Sequence, residues 1–102
     1  MYLREIAHSR TGDKGNVVTV SVIAYRPEDF PLIEASVTAA RVTEYFNGII
    51  DRPAIRYALP KLAALNFVLQ RPDGQSVTHT LALDAHGKCL GSALLALEIP
   101  AL

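Results

Sequence analysis

Runs of alternating apolar and polar residues constrain the fold of this chain more than any other feature. The clearest run, Val17 to Tyr25, is rich in β-branched residues, which favour a pleated strand. Two similar runs, Leu65 to Gln70 and Val77 to Leu83, flank the turn sequence Pro72-Asp73-Gly74 and predict a β-hairpin. Successive side chains of a strand point to opposite faces, so the pattern predicts a sheet with at least one buried face.

Weaker strands and two helices complete the predicted order. Tyr2 to His8 and Pro53 to Leu59 are predicted as short strands, the second at a sheet edge because it opens with proline. Apolar residues at helical spacing predict a helix after the N-cap residue Thr38 and another near the C-terminus, where Gly91 leaves a closing strand as the alternative. Local hairpins outnumber βαβ signals, so we expect an α+β domain with an antiparallel-rich sheet and helices packed on one face. The predicted apolar stripes are Ala35, Ala39, Val42, Phe46 and Ile49 in the first helix and Leu90, Ala93, Leu94 and Leu97 in the second.

Composition narrows the class of protein. The chain has 102 residues, half of them hydrophobic, and this length predicts a single domain over residues 1–102. Ten basic residues balance ten acidic ones, which argues against nucleic acid as a partner. Cys89 is the single cysteine, so no disulfide, cysteine-based metal site or iron–sulfur cofactor is expected within one chain. The N-terminus lacks a signal-peptide pattern and no apolar run could span a bilayer, so we expect a cytoplasmic location and no membrane contact.

The segment from His8 to Asn16 is the first candidate site. It reads His8-Ser9-Arg10-Thr11-Gly12-Asp13-Lys14-Gly15-Asn16 and is predicted as a loop between two strands. Glycines can turn backbone N–H groups toward one point, and the neighbouring cations and hydroxyls would help such a nest hold a phosphate or carboxylate. The alternative is a plain hairpin turn, for which glycine, aspartate and lysine are ordinary residues.

A second charged segment, Asp84-Ala85-His86-Gly87-Lys88, has a similar character. His86 can act as an acid, a base or an anion contact, and Lys88 can bind an anion or act as a nucleophile if desolvated. Its alternative is another turn with a solvated lysine. If the two segments meet at one end of the sheet, they form a shared site. The catalytic candidates are His8, His86 and Lys88, and the ligand-binding candidates are Ser9, Arg10, Thr11, Gly12, Asp13, Lys14, Gly15, Asn16, His86 and Lys88.

Five stretches, in order along nearly the whole chain, resemble a known family. They are Leu3 to Asn16, Ser21 to Tyr25, Tyr57 to Pro60, Ala64 to Phe67 and Leu83 to Lys88. The sequence is similar to the C-terminal domain of AtuA-like proteins, the acyclic terpene utilisation family. The resemblance implies a ferredoxin-like fold, meaning an α/β plait, and a context in the breakdown of branched, terpenoid-like acids as acyl-CoA thioesters. It also implies a larger AtuA-like subunit as partner, because in the family this domain usually follows a much larger one.

Three hypotheses about function follow. The first is an accessory binding subunit whose glycine-, lysine- and histidine-containing segments contact an anionic small molecule or the larger partner. The second is an enzyme in which His8 or His86 is a general base and Arg10 or Lys14 stabilises an oxyanion. The third is a structural domain that forms a homo-oligomer through its sheet. The first is favoured because both segments combine cationic side chains with glycine.

Overall fold

The computed structural model describes residues 1–72 and 88–100, with side chains described for residues 1–72 and 90–100. The helices and strands in this part alternate between a sheet and the helical layer that covers it. Single 3₁₀ turns over Leu3–Glu5, Pro27–Asp29 and Pro60–Leu62 connect them. The elements are β1 (Ala7–Lys14), β2 (Val17–Ala24), α1 (Phe30–Ser36), α2 (Ala39–Tyr45), β3 (Ile55–Leu59), β4 (Ala64–Gln70) and α3 (Lys88–Leu94).

The sheet has the strand order β1-β2-β4-β3, and every neighbouring pair is antiparallel. The strands predicted at Val17 to Tyr25 and Leu65 to Gln70 are confirmed as the two central strands of the described sheet, and the predicted edge strand is β3, which lies at an edge of that described sheet. The strand predicted over 77–83 lies outside the described residues. The predicted hairpin between β4 and the run that follows it is wrong, because β4 pairs with β2 on one edge and with β3 on the other; its hairpin partner along the chain is β3.

The core lies between the sheet and the helices. Val18, Val20 and Val22 of β2 are paired across the ladder with Leu69, Phe67 and Leu65 of β4, in that order, and all six are fully buried. Apolar residues from all three helices join them in one cluster, so the prediction of helices packed on one face of an antiparallel sheet is confirmed. Those from the helices are Phe30, Ile33, Val42, Leu90 and Leu94.

The N-cap of α2 is the one that the sequence predicts. The Thr38 hydroxyl accepts a hydrogen bond from the Arg41 backbone N–H at 3.1 Å, which satisfies one of the unpaired donors of the first turn. The periodicity predicts Ala35 in the apolar stripe of this helix, and that prediction is wrong. Ala35 lies in α1, because the chain leaves the helical conformation at Val37 before α2 starts, and its side chain is exposed.

Two predictions about the N-terminal region are wrong in their boundaries. Residues Leu3–Glu5 form a 3₁₀ turn, not a strand, because this turn brings both Leu3 and Ile6 into the core while the Glu5 carboxylate accepts the Tyr2 N–H at 2.7 Å. The predicted loop from His8 to Asn16 is β1 as far as Lys14. Its backbone pairs with β2 in unbroken register, and the turn contains only Gly15 and Asn16.

The C-terminal helix is confirmed as α3, which packs against β1. Among the described residues, no helix is long and apolar enough to cross a membrane. After α3 the chain returns to the N-terminus, where the Leu3 N–H donates to the Leu97 carbonyl and the Ile99 N–H donates to the Met1 carbonyl. The two ends of the described chain therefore close the core together.

Candidate functional site

The two faces of β1 have different neighbours, and this divides the predicted site residues into two groups. Ser9 and Thr11 lie opposite buried positions of β2 and so close to α3 that a Cβ at Gly91 would meet both side chains, so they belong to the helical side. His8, Arg10 and Lys14 alternate with them and lie on the opposite face. The structure therefore separates the predicted hydroxyl donors from the predicted cations.

The anion nest predicted around Gly12 and Gly15 is not formed. Gly12 lies inside the strand opposite Thr19, and only Gly15 of the two has a positive φ, at 63°. A nest needs consecutive N–H groups that point to one spot, whereas a strand directs them alternately to its two edges. The hairpin interpretation of this segment is confirmed, with a shorter turn than the sequence suggested.

The face of the sheet away from the helices is the candidate site, and we call it the open face. It consists of the even-numbered positions of β1 and β4 and the odd-numbered positions of β2 and β3. In the described part of the chain no helix packs on it. At its centre, one row of paired residues crosses all four strands: Arg10, Ser21, Asn66 and Tyr57. The Asn66 amide nitrogen donates a hydrogen bond to the Ser21 hydroxyl at 2.9 Å, which orients the middle of the row.

The open face changes from charged to apolar across the strands. At one edge, β1 presents His8, Arg10 and Lys14. At the other edge, the β3 residues Ile55, Tyr57 and Leu59 are 51%, 54% and 41% exposed. The positions of β2 and β4 between them combine hydroxyl or amide side chains with half-buried aliphatic ones. This arrangement of side chains is suited to bind a ligand that is charged at one end and apolar at the other.

The charge on this face is of one sign. None of its strand positions holds an aspartate or glutamate, because Asp13 points to the other side of β1. Within the described residues, Arg10 and Lys14 are exposed and have no hydrogen bond or ion pair. The His8 ring lies 5.0 Å from the Tyr25 ring, tilted by 30°. The positive charges at β1 are therefore available to an anion from outside the described part.

The ion pair in the described part lies elsewhere. Arg26 donates to Glu28 at 3.0 Å in the turn that follows β2, and both side chains are exposed. The Glu28 pKa is lowered by a hydrogen bond from its own backbone and then by Arg26, and the Arg26 pKa is raised by the same pair. This exposed pair lies in the turn after β2 and does not belong to the open face.

Three shallow cavities mark the described surface. One of about 230 Å³ lies beside the β1–β2 turn, with Lys14 and Thr19 in its wall, and so adjoins the open face. One of about 380 Å³ lies on the helical side, where Arg41 and Tyr45 already donate hydrogen bonds to backbone carbonyls. The third, about 570 Å³, is an apolar hollow around the turn Pro60–Leu62. Residues 1–72 and 88–100 contain no cluster of histidine, cysteine, aspartate and glutamate that could hold a metal ion.

The second predicted segment cannot be placed against the first. Residues 84–87, with the candidate His86, lie outside the described residues, and so does the side chain of Lys88. The helix α3 begins at Lys88 and packs on the helical side of β1, whereas Arg10 lies on the open face of that strand. A site shared by the two segments stays a prediction.

The sequence did not single out Ser21, Ile55 and Tyr57 as site residues. The row of paired residues and the change from charged to apolar side chains across the sheet become visible only when the strand order is known, because β2 and β3 are far apart in sequence. The alternation Ile55, Tyr57 and Leu59 in the predicted edge strand is the one signal that could have indicated an exposed apolar edge.

In the part of the chain that the structure describes, a four-stranded antiparallel sheet with helices packed on one face defines an α+β domain. The family model of the AtuA ferredoxin-like domain matches residues 1–100, essentially the whole chain. The chain therefore belongs to this family, and the resemblance seen in its motifs is confirmed. No curated protein and no solved structure matches the chain significantly.

Proposed function

We propose that this domain is an accessory binding module that holds an anionic ligand on the open face of its sheet. The observation that supports the proposal is the set of cationic side chains on one face of β1, together with the absence of carboxylates from the strand positions of that face. Unpaired guanidinium and ammonium groups gain most from a phosphate or carboxylate, since charge-assisted hydrogen bonds are stronger than neutral ones.

The ligand class we propose is an acyl-CoA thioester. Its phosphates suit Arg10 and Lys14, while its amide and thioester groups suit the neutral hydroxyl and amide side chains of the central strands. The family resemblance supports this context and also supports a larger AtuA-like subunit as the partner that would receive the ligand. In this role the domain binds and positions, and it needs no catalytic group of its own.

Isothermal titration calorimetry with coenzyme A, an acyl-CoA and inorganic phosphate tests the proposal. We expect Arg10→Ala and Lys14→Ala each to weaken coenzyme A binding about tenfold or more, the effect of losing one charge-assisted hydrogen bond. Affinity should also fall as salt is raised, since exposed charges are screened.

Arg52→Ala is the matched control, because Arg52 is exposed but lies outside the strands of the sheet. It should leave the affinity unchanged. Absence of binding to all three compounds, or an equal loss from Arg10→Ala and Arg52→Ala, would contradict the proposal.

A further inference from the structure

We infer that the open face binds an amphipathic organic anion that lies across the strands, with its charged group at β1 and its apolar part on β3. This inference rests on the proposed function and adds to it the orientation of the ligand across the strands. It is drawn from the gradient of side chains across the sheet and not from the cations alone.

The apolar edge gives the first argument. Single exposed apolar residues are common on protein surfaces and need no explanation. Here Ile55, Tyr57 and Leu59 occupy successive outward positions of one strand, and each is about 40–55% exposed. Val68 of β4 is paired with Ile55 and extends the same surface inward. These side chains form a continuous apolar strip, which a hydrocarbon group could cover.

The distance between the two edges gives the second argument. Neighbouring strands lie about 4.8 Å apart, so three strand spacings place the backbones of β1 and β3 roughly 14 Å from each other. Along the central row, Ser21 and Asn66 lie between Arg10 and Tyr57. A ligand that bridges the row therefore spans roughly 14 Å and passes the Ser21 hydroxyl and the Asn66 amide before its apolar end reaches β3.

The charge gradient disfavours a second copy of the chain as the occupant. Closed dimers are related by a two-fold axis. In a face-to-face pair, an axis perpendicular to the strands places β1 on β1 and brings like charges together. An axis parallel to the strands places β1 on β3 and buries Arg10 and Lys14 against apolar side chains without a counter-charge. Neither of these two simple arrangements pairs the cations, whereas an amphipathic anion pairs them and covers the apolar strip.

A series of n-alkyl phosphates of increasing chain length, beginning with inorganic phosphate, tests the inference by calorimetry. We expect the affinity to change little while the chain crosses the polar middle of the row, and then to rise about two- to fourfold per methylene as the chain covers the apolar strip on β3. Tyr57→Ser and Ile55→Ser should flatten this dependence while phosphate binding is retained. Tyr57→Phe is the matched control, because it keeps the ring, and it should keep the dependence.

The outcomes separate this inference from the proposed function. If phosphate binds and Arg10→Ala weakens it, but chain length has no effect, the module binds anions and the inference is wrong. If none of the phosphates binds, both are wrong. If light scattering shows a dimer that Tyr57→Ser disrupts, a second copy occupies the face and the inference is overturned.

Discussion

The two faces of the sheet show how differently a protein uses residues that are neighbours in sequence. On the helical side of the central strands every position is apolar and nearly all are fully buried, because these residues make up the core. On the open face, one residue further along, the same strands carry serine, threonine and asparagine beside half-buried aliphatic residues. Core packing explains the first face and does not explain the second, so the composition of the open face points to contacts outside the described part.

At β1 the comparison is reversed, since the helical side of this strand is polar. Ser9 and Thr11 lie beneath Gly91, and a Cβ at that glycine would meet the oxygens of both side chains. The helix backbone therefore lies directly on the strand. Small polar side chains on a covered face can thus serve helix packing, and only the cations of β1 remain for a ligand.

The largest expected effect tests whether residues on the two faces contribute differently to the free energy of unfolding. Phe67 is fully buried, so Phe67→Ala should lower the free energy of unfolding by about 3–5 kcal/mol. The next residue, Val68, is half-buried on the open face. Val68→Ala should lower the free energy of unfolding by about 1 kcal/mol or less. Urea unfolding followed by circular dichroism measures both. Equal losses would mean that the open face is also part of a core.

A smaller effect tests the contact between α3 and β1. Gly91→Ala adds a methyl group that crowds Thr11, and overpacking of this kind costs about 1–3 kcal/mol, against a gain of about 1 kcal/mol in helix propensity. We expect a net loss, measured by thermal or urea unfolding. Thr11→Ala in the same chain should recover much of it, since the crowded oxygen is then gone.

Ser92→Ala provides the control for helix propensity, because Ser92 is exposed in the same helix. It should change stability only slightly, and in the stabilising direction. If Gly91→Ala behaves like Ser92→Ala, the helix does not press on the strand, and the division of β1 into a packing face and a binding face fails.

Much of the fold could be predicted from local patterns. The strands at Val17 and Leu65 alternate because one of their faces is buried, and the Thr38 cap is a contact between residues three apart, so both leave a trace in sequence. The strand β1 leaves no such trace in the sequence. Its helical side meets a glycine, and no described helix packs on its other side, so neither face needs apolar residues here and the segment looks like a loop.

The candidate site could be predicted in part. Arg10 and Lys14 were selected for their charge, and they lie together on the open face. Their partners in the central row could not be found, because Ser21, Asn66 and Tyr57 meet only through the strand order β1-β2-β4-β3. Long-range pairing of this kind depends on the whole core, whereas a cluster of charges is visible in a few consecutive residues.

The smallest expected effect on stability is at the cations of β1. Arg10 is exposed and has no partner among the described residues, so Arg10→Ala should change the free energy of unfolding by less than about 0.5 kcal/mol. The same substitution should reduce anion binding about tenfold or more, since its guanidinium is proposed to contact the ligand. A large change in binding without a change in stability is the mark of a residue whose role lies outside the fold. If Arg10→Ala instead costs more than about 1 kcal/mol in urea unfolding, its side chain stabilises the domain, and the contrast between the two faces disappears at β1.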